Sequence, residues 1–235
     1  MSYETQTRKD KSRLKRWVQK RRLADAVALT KGASLPRLIV DYGAGDGAFS
    51  LALADAYPAA RIICFEPVPA MRAEAEAMTA ATHTITVMAE EAAIPSGADI
   101  VLCTEVFEHL PPEPSQHALG QILRILSATG RAIFGVPVET GPPALAKGLF
   151  RMLRRYGEED ARLGRVLSAT FNRPPQRNAQ EIAPGRSYFH AHLGFDHRAF
   201  EREIARQMNI VKRRTSPLPL GSWAASELYL VTTPR

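Results

Sequence analysis

The feature that most restricts how this chain can fold is a regular alternation between residues 35 and 137. Apolar runs of strand length stand at 35–42, 61–66, 82–89, 98–104 and 131–137. Between them lie helical stretches at 48–56, 69–80 and 114–127, the last expected to end at Gly130. Strands separated by helices run parallel, because each helix carries the chain back across the sheet. Both faces of such a sheet are covered, which is why its strands read as continuous apolar runs. After Pro137 the rhythm breaks. Residues 138–190 are rich in proline, glycine and arginine, with one helical patch over 144–155. The alternation resumes with a helix at 197–207 and strands at 209–214 and 227–233, close enough in sequence to pair antiparallel. A helix over 11–29, stopping near Gly32, precedes the first strand. The expectation is an α/β, doubly wound, mostly parallel sheet. It divides into a basic helical arm over 1–32 and a single domain over 33–235, with 138–190 as an insertion.

The first strand runs straight into Asp41-Tyr42-Gly43-Ala44-Gly45-Asp46-Gly47. Glycines at this junction let the backbone turn sharply and let a ligand approach where a Cβ would obstruct it. Gly43, Gly45 and Ala48 also satisfy G-x-G-x-x-A, so a nicotinamide or flavin dinucleotide is the rival ligand, and with it an oxidoreductase. Charge separates the two. A pyrophosphate wants bare N–H groups and a helix N-terminus, and here Asp41 and Asp46 flank the glycines. A cationic ligand is drawn to those carboxylates by about 4 kcal/mol at ~4 Å and an effective dielectric near 20, and a phosphate is repelled on the same scale. Glu66 ends the second strand, where an acid can accept hydrogen bonds from both ribose hydroxyls. Glu90 and Glu91 end the third strand, and Thr104 and Glu105 the fourth.

The ordered series IVDYGAGDG, ICFEP, VMAEEAAIP, ADIVLCTEVFEHLPP and GRAIFGVP, over about residues 36–137, resembles the class I S-adenosylmethionine-dependent methyltransferases of the ubiquinone-biosynthesis and methyltransferase 11/12/23 kind. A weaker echo stands at HAHLGFDHRAF, residues 190–200. The resemblance implies a Rossmann-like, seven-stranded sheet with an antiparallel last strand. It implies S-adenosyl-L-methionine as methyl donor and S-adenosyl-L-homocysteine as product. Carried over, Asp41, Gly43 and Gly45 would hold the methionine part and Glu66 the ribose. Glu90 and the backbone of Glu91 would meet the adenine, and Thr104 the methionine end. Glu90 departs from the family, which more often has Asp there.

His109, just past the fourth strand, stands where the methyl group would emerge and is the candidate general base. His190 and His192 are candidates for the acceptor pocket, together with His197. No cysteine or second ligand set accompanies this downstream trio, so no metal site is expected. Cys64 and Cys103 sit in strands and read as buried thiols.

Residues 1–22 hold nine Lys/Arg against two Asp/Glu, and residues 147–186 nine against four, while 23–146 are acidic with six against fourteen. The arginines of the insertion (Arg151, Arg154, Arg155, Arg173, Arg177 and Arg186) point to an anionic acceptor, with Arg154 and Arg155 as the named contacts. A phosphorylated lipid-linked glycan or a nucleotide sugar would suit them. The expected reaction is methyl transfer to oxygen, less readily nitrogen, of a small-molecule or glycan- or lipid-linked acceptor. The basic helix around Trp17 reads as a solvated lid, with peripheral contact to anionic lipid as its alternative. RNA methylation is the second reading. It is disfavoured because the arm lacks aromatic–basic interleaving and no RNA-binding module is recognisable. A donor-binding protein without catalysis is the third. No apolar run approaches the ~20 residues of a membrane span, and no signal-peptide core is present, so a cytoplasmic address is expected.

Overall fold

The computed structural model describes residues 13–32, 35–183, 186–218 and 221–235. The first twelve residues of the basic arm lie outside the described residues. The strands are β1 (Leu38–Tyr42), β2 (Arg61–Phe65), β3 (Ile85–Met88), β4 (Ala98–Thr104), β5 (Leu126–Pro137), β6 (Gln180–Ala183), β7 (Arg186–Tyr188), β8 (Asn209–Ser216) and β9 (Glu227–Thr233). The helices are α1 (Arg13–Thr30), α2 (Ala48–Ala56), α3 (Pro69–Thr79), α4 (Pro112–Ile125), α5 (Pro142–Arg155), α6 (Leu163–Thr170) and α7 (His197–Gln207). Seven strands form one sheet in the order β3-β2-β1-β4-β5-β9-β8. β1 pairs in parallel with both β2 and β4, whereas β9 is antiparallel to both of its neighbours. This is the Rossmann-like sheet expected from the alternation.

Sequence periodicity explains the two covered faces. Ile39, Ile62 and Ile133 turn to one side with Leu53 of α2 and Ala26 and Leu29 of α1. Val40, Ile63 and Phe134 turn to the other with Leu119 and Ile122 of α4 and Phe200 and Ile204 of α7. Each buried Ile or Leu contributes roughly 1.5–3 kcal/mol, enough to fix the register of strands this short. α7 starts at Asp196, whose carboxylate accepts from the N–H groups of Arg198 (2.9 Å) and Ala199 (3.2 Å). Cys64 and Cys103 are buried and free.

Three elements differ from expectation. α4 ends at Ile125, and Gly130 lies inside β5 rather than capping a helix. Its role is close approach, since a Cβ there would sit 2.6 Å from the Ala98 carbonyl. The insertion holds more than one helix: α6 packs Val166 and Ala169 against Ala144 of α5 and Leu193, and β6–β7 form a hairpin outside the main sheet. The basic helix is only half a lid. Trp17 is half exposed, but Ala26 and Leu29 are core, and Asp25 accepts from Ser216 Oγ at 2.8 Å and from Arg214 at 2.9 Å. Among the described residues, no helix is long and apolar enough to cross a membrane.

The sheet order places β1 beside β4 while the chain leaves β1 toward β2. Crossovers therefore depart to opposite sides at this point, which opens a crevice at the carboxyl ends of the two strands.

Candidate active site

A cavity of about 720 Å³ occupies that crevice, within the usual range for a small-molecule site. Gly43 to Asp46, Glu66, Thr104 and Glu105 line its base, and Gln19, Lys20, Arg22 and Leu23 of α1 close one side. Ser187, Tyr188, His190 and His192, from β7 and the loop after it, close another.

The loop after β1 is built from left-handed glycines. Gly43, Gly45 and Gly47 have φ of 75°, 58° and 81°. The N–H groups of Gly43 and Ala44 both donate to the Phe65 carbonyl at 2.9 Å, which ties the loop to the end of β2. Glu66 accepts from the N–H of Gly45 and of Val68, each at 2.8 Å. Its carboxylate is thus held rigidly at the cavity edge, with lone pairs left for ribose hydroxyls. A Cβ on Gly45 would meet nothing within 4 Å, because the cavity lies there.

Gly43, Gly45, Glu66 and Thr104 therefore come together as expected. Asp41 does not reach the cavity. Its carboxylate lies beneath the loop and accepts from Ser50 Oγ at 2.7 Å. Burial, reinforced by Glu66 and Asp46, outweighs that hydroxyl and pushes Asp41 up to about 7. The acid that lines the cavity from this loop is Asp46, which also accepts from the Ala48 N–H at 3.1 Å. Glu90 is exposed, and Glu91 is turned away to accept from the Tyr42 hydroxyl and to pair with His117 at 2.6 Å. Neither lines the cavity. Val68 and Met71 do, giving an apolar wall beside Glu66 that suits a flat base. The signal for them, apolar residues two and five positions after Glu66, was present in the sequence but unread.

At the opposite end, His109 places Nδ1 2.8 Å from the Phe189 carbonyl. Its ring stacks on Tyr188 with centroids 4.3 Å apart, and His192 meets it edge-on at 4.7 Å. Burial lowers His109 to about 4 and holds His192 well below the usual imidazole range, so both are neutral at pH 7. A histidine that weakly basic is a poor general base and a good hydrogen-bond partner. Beneath it, Glu108 is fully buried, and burial together with Glu227 raises its carboxyl to about 8. Glu108, His109 and His192 bring three ligand-type groups together, a set the sequence reading did not assemble. Of the expected downstream trio, His190 and His192 line the cavity. His197 is buried elsewhere, with Nδ1 3.4 Å from Thr140 Oγ1.

Arg154 and Arg155 do not line the cavity either. Arg154 is exposed over the Phe150 ring, and Arg155 pairs with Glu158 at 2.8 Å and Asp160 at 2.6 Å. Arg151 bonds Glu139 at 2.8 and 2.9 Å. Buried Glu139 explains this arrangement, since an acid with no exposure needs a counter-charge. Burial pushes Glu139 up, but Lys147 and Arg151 together outweigh it and hold its carboxyl at about 2. Its stabilisation is fully present above about pH 4.5 and is lost as pH falls through about 2. Glu139→Gln should therefore cost about 3 kcal/mol at pH 7 and flatten the acid limb of a stability–pH profile measured by urea unfolding.

Residues 39–130 match a family model described as a methyltransferase domain. No curated protein matches the sequence. Solved structures share the fold at low identity. NodS, an N-methyltransferase from Bradyrhizobium japonicum solved with S-adenosyl-L-homocysteine, is 14% identical with a TM-score of 0.59, over 97% of this chain and 90% of that one. Mitomycin 7-O-methyltransferase is 16% identical with a TM-score of 0.62, over 100% of this chain and 61% of that one. A 1,6-didemethyltoxoflavin-N1-methyltransferase from Burkholderia thailandensis is 14% identical with a TM-score of 0.57, over 93% of this chain and 80% of that one. The residues present fit the methyl donor: open space at Gly45, the Asp46 carboxylate for its cationic end, Glu66 for the ribose, and Val68 and Met71 for the base. Residues 39–130 thus match a methyltransferase domain, and the chain as a whole has the Rossmann-like fold of solved S-adenosylmethionine-dependent methyltransferases.

Proposed function

We propose that the chain methylates an oxygen of a small, uncharged, hydroxyl-bearing acceptor seated against His109, Tyr188 and His192. The observation that carries this reading is the commitment of His109 Nδ1 to the Phe189 carbonyl, which leaves Nε2 as a hydrogen-bond acceptor beside the cavity. A hydroxyl gives up its proton as its oxygen takes the methyl group. His109 Nε2 accepts from the O–H and so aligns its oxygen on the methyl, and the released proton leaves to solvent rather than resting on so weak a base. S-adenosylmethionine supplies a methyl group already activated by the sulfonium charge. What remains for the chain is to bind, align and exclude water. Asp46 and Glu66 anchor one end of the cavity, while α1 and the segment from Ser187 to His192 cover it.

Charge favours an uncharged acceptor over the anionic one read from composition. Asp46, Glu66, Glu105 and Glu227 line the cavity against Lys20 and Arg22. An anion would enter a surplus of carboxylates, while Arg155 is paired with Glu158 and Asp160 and Arg154 lies exposed over the Phe150 ring, neither lining the cavity. RNA is disfavoured on similar grounds, since Arg21 and Arg22 of the described arm pair with Asp25, Glu105 and Glu227. The test is a screen with tritiated S-adenosylmethionine against matched hydroxyl compounds and amines. Methyl ethers are the expected products. Labelling confined to amines would contradict the oxygen assignment.

A further inference from the structure

We propose that Glu108, His109 and His192 bind one divalent transition-metal ion at the acceptor end of the cavity. A Glu108 carboxylate oxygen and one ring nitrogen from each histidine all lie within 4.8 Å of one another. Ligands held at about 2.0–2.2 Å from an ion stand at most ~4.4 Å apart, so small side-chain adjustments close the set.

Two further observations point to an ion. The Glu108 side chain is fully buried, and neither carboxylate oxygen has a hydrogen-bond partner among the described residues. The neighbouring Arg177 guanidinium is engaged by the Glu108 backbone carbonyl instead. Buried carboxylates are paired or bind metal, and this one is aimed at two imidazoles. His109 supplies the second observation. With Nδ1 donating to the Phe189 carbonyl, its Nε2 lone pair stands 4.0 Å from Glu108 Oε1. An imidazole whose far nitrogen donates to a backbone carbonyl has its tautomer and ring plane fixed as metal-ligating histidines do. The Phe189 N–H also donates to the His109 carbonyl at 2.8 Å, so the turn after β4 is tied to the segment leading to His192.

Two imidazoles and one carboxylate suit Zn²⁺, Fe²⁺ or Mn²⁺ better than Mg²⁺ or Ca²⁺, which prefer oxygen alone. Three protein ligands leave coordination positions open, and His109 and His192 both line the cavity. With the ion bound, the His109 Nε2 lone pair is taken by it, and the acceptor hydroxyl would meet an open coordination position in place of Nε2. The site rests on these side chains, not on the acceptor's identity.

The test needs no acceptor, so its failure is distinct from failure of the oxygen assignment. The full chain, purified without a histidine tag or chelator, is titrated calorimetrically with ZnCl₂ and MnCl₂, and its metal content is measured by mass spectrometry. A single saturable ion per chain is expected. Glu108→Gln and His192→Ala should each weaken it by at least about 10-fold, while S-adenosyl-L-homocysteine still binds. Glu108→Gln replaces an unpaired buried acid by a neutral group of the same shape, so this variant should fold and carries the test if His192→Ala does not. No saturable binding of either ion near millimolar concentration, or unchanged binding by Glu108→Gln, would overturn the proposal.

Discussion

Gly45→Val is expected to weaken binding of S-adenosyl-L-homocysteine by more than about 100-fold, roughly 2.7 kcal/mol, while the chain stays folded. Gly45 lines the cavity with φ of 58°, and a Cβ there meets no protein atom within 4 Å. A side chain added at that point displaces ligand rather than protein. The left-handed conformation costs a β-branched residue about 1–2 kcal/mol, worth several degrees in Tm for a chain of this length. Gly97→Val is the control. Gly97 also has positive φ, at 91°, and open space around it, but it does not line the cavity. It should show a similar small Tm loss with unchanged affinity. Calorimetric titration of both variants beside the native chain reads the difference directly.

Arg22→Ala is expected to lower stability by about 3–5 kcal/mol, the usual cost of leaving a buried charge without its partner. Arg22 joins α1 to two strand ends by pairing with both Glu105 and Glu227. Glu227 is 1% exposed, and its second oxygen has no hydrogen-bond partner among the described residues. Removing the guanidinium leaves that carboxylate stranded beside the cavity. Denaturant unfolding should show the loss, and the double variant Arg22→Ala/Glu227→Gln should regain much of it, because the stranded charge is gone. If the double variant were as unstable as the single one, packing of the Arg22 stem rather than charge pairing would hold α1 in place.

The parts of this architecture that were legible in the sequence are those written locally. Leu38–Val40 and Ile62–Phe65 are continuous apolar runs because their strands are covered on both faces, and glycines after β1 announce a turn that only they adopt easily. Elements defined by distant partners were not legible. α6 has eight residues, too few for periodicity to stand out, and its place is set by Ala144 and Leu193. Gly130 reads as a helix stop until the Ala98 carbonyl is seen beside it. At the site, Asp41 and Asp46 share the same loop, and only the fold shows that Ser50 claims the first. Glu108 was hidden for a similar reason. It follows β4 in a turn where exposure would be ordinary, and only its burial between His109 and His192 gives it chemical interest. The arginines of 138–190 misled because composition records charge without its partners. Glu139 and Asp160 had already claimed Arg151, and Glu158 and Asp160 had claimed Arg155.

The acid-flanked glycine loop suits a cationic sulfur compound and opposes a diphosphate. Equilibrium titration of the purified chain with S-adenosyl-L-methionine, and separately with NADH, tests this preference most directly. One saturable site is expected for the methyl donor, displaced by S-adenosyl-L-homocysteine, with no binding of NADH near millimolar concentration. Saturable NADH binding, with none of the methyl donor, would contradict it.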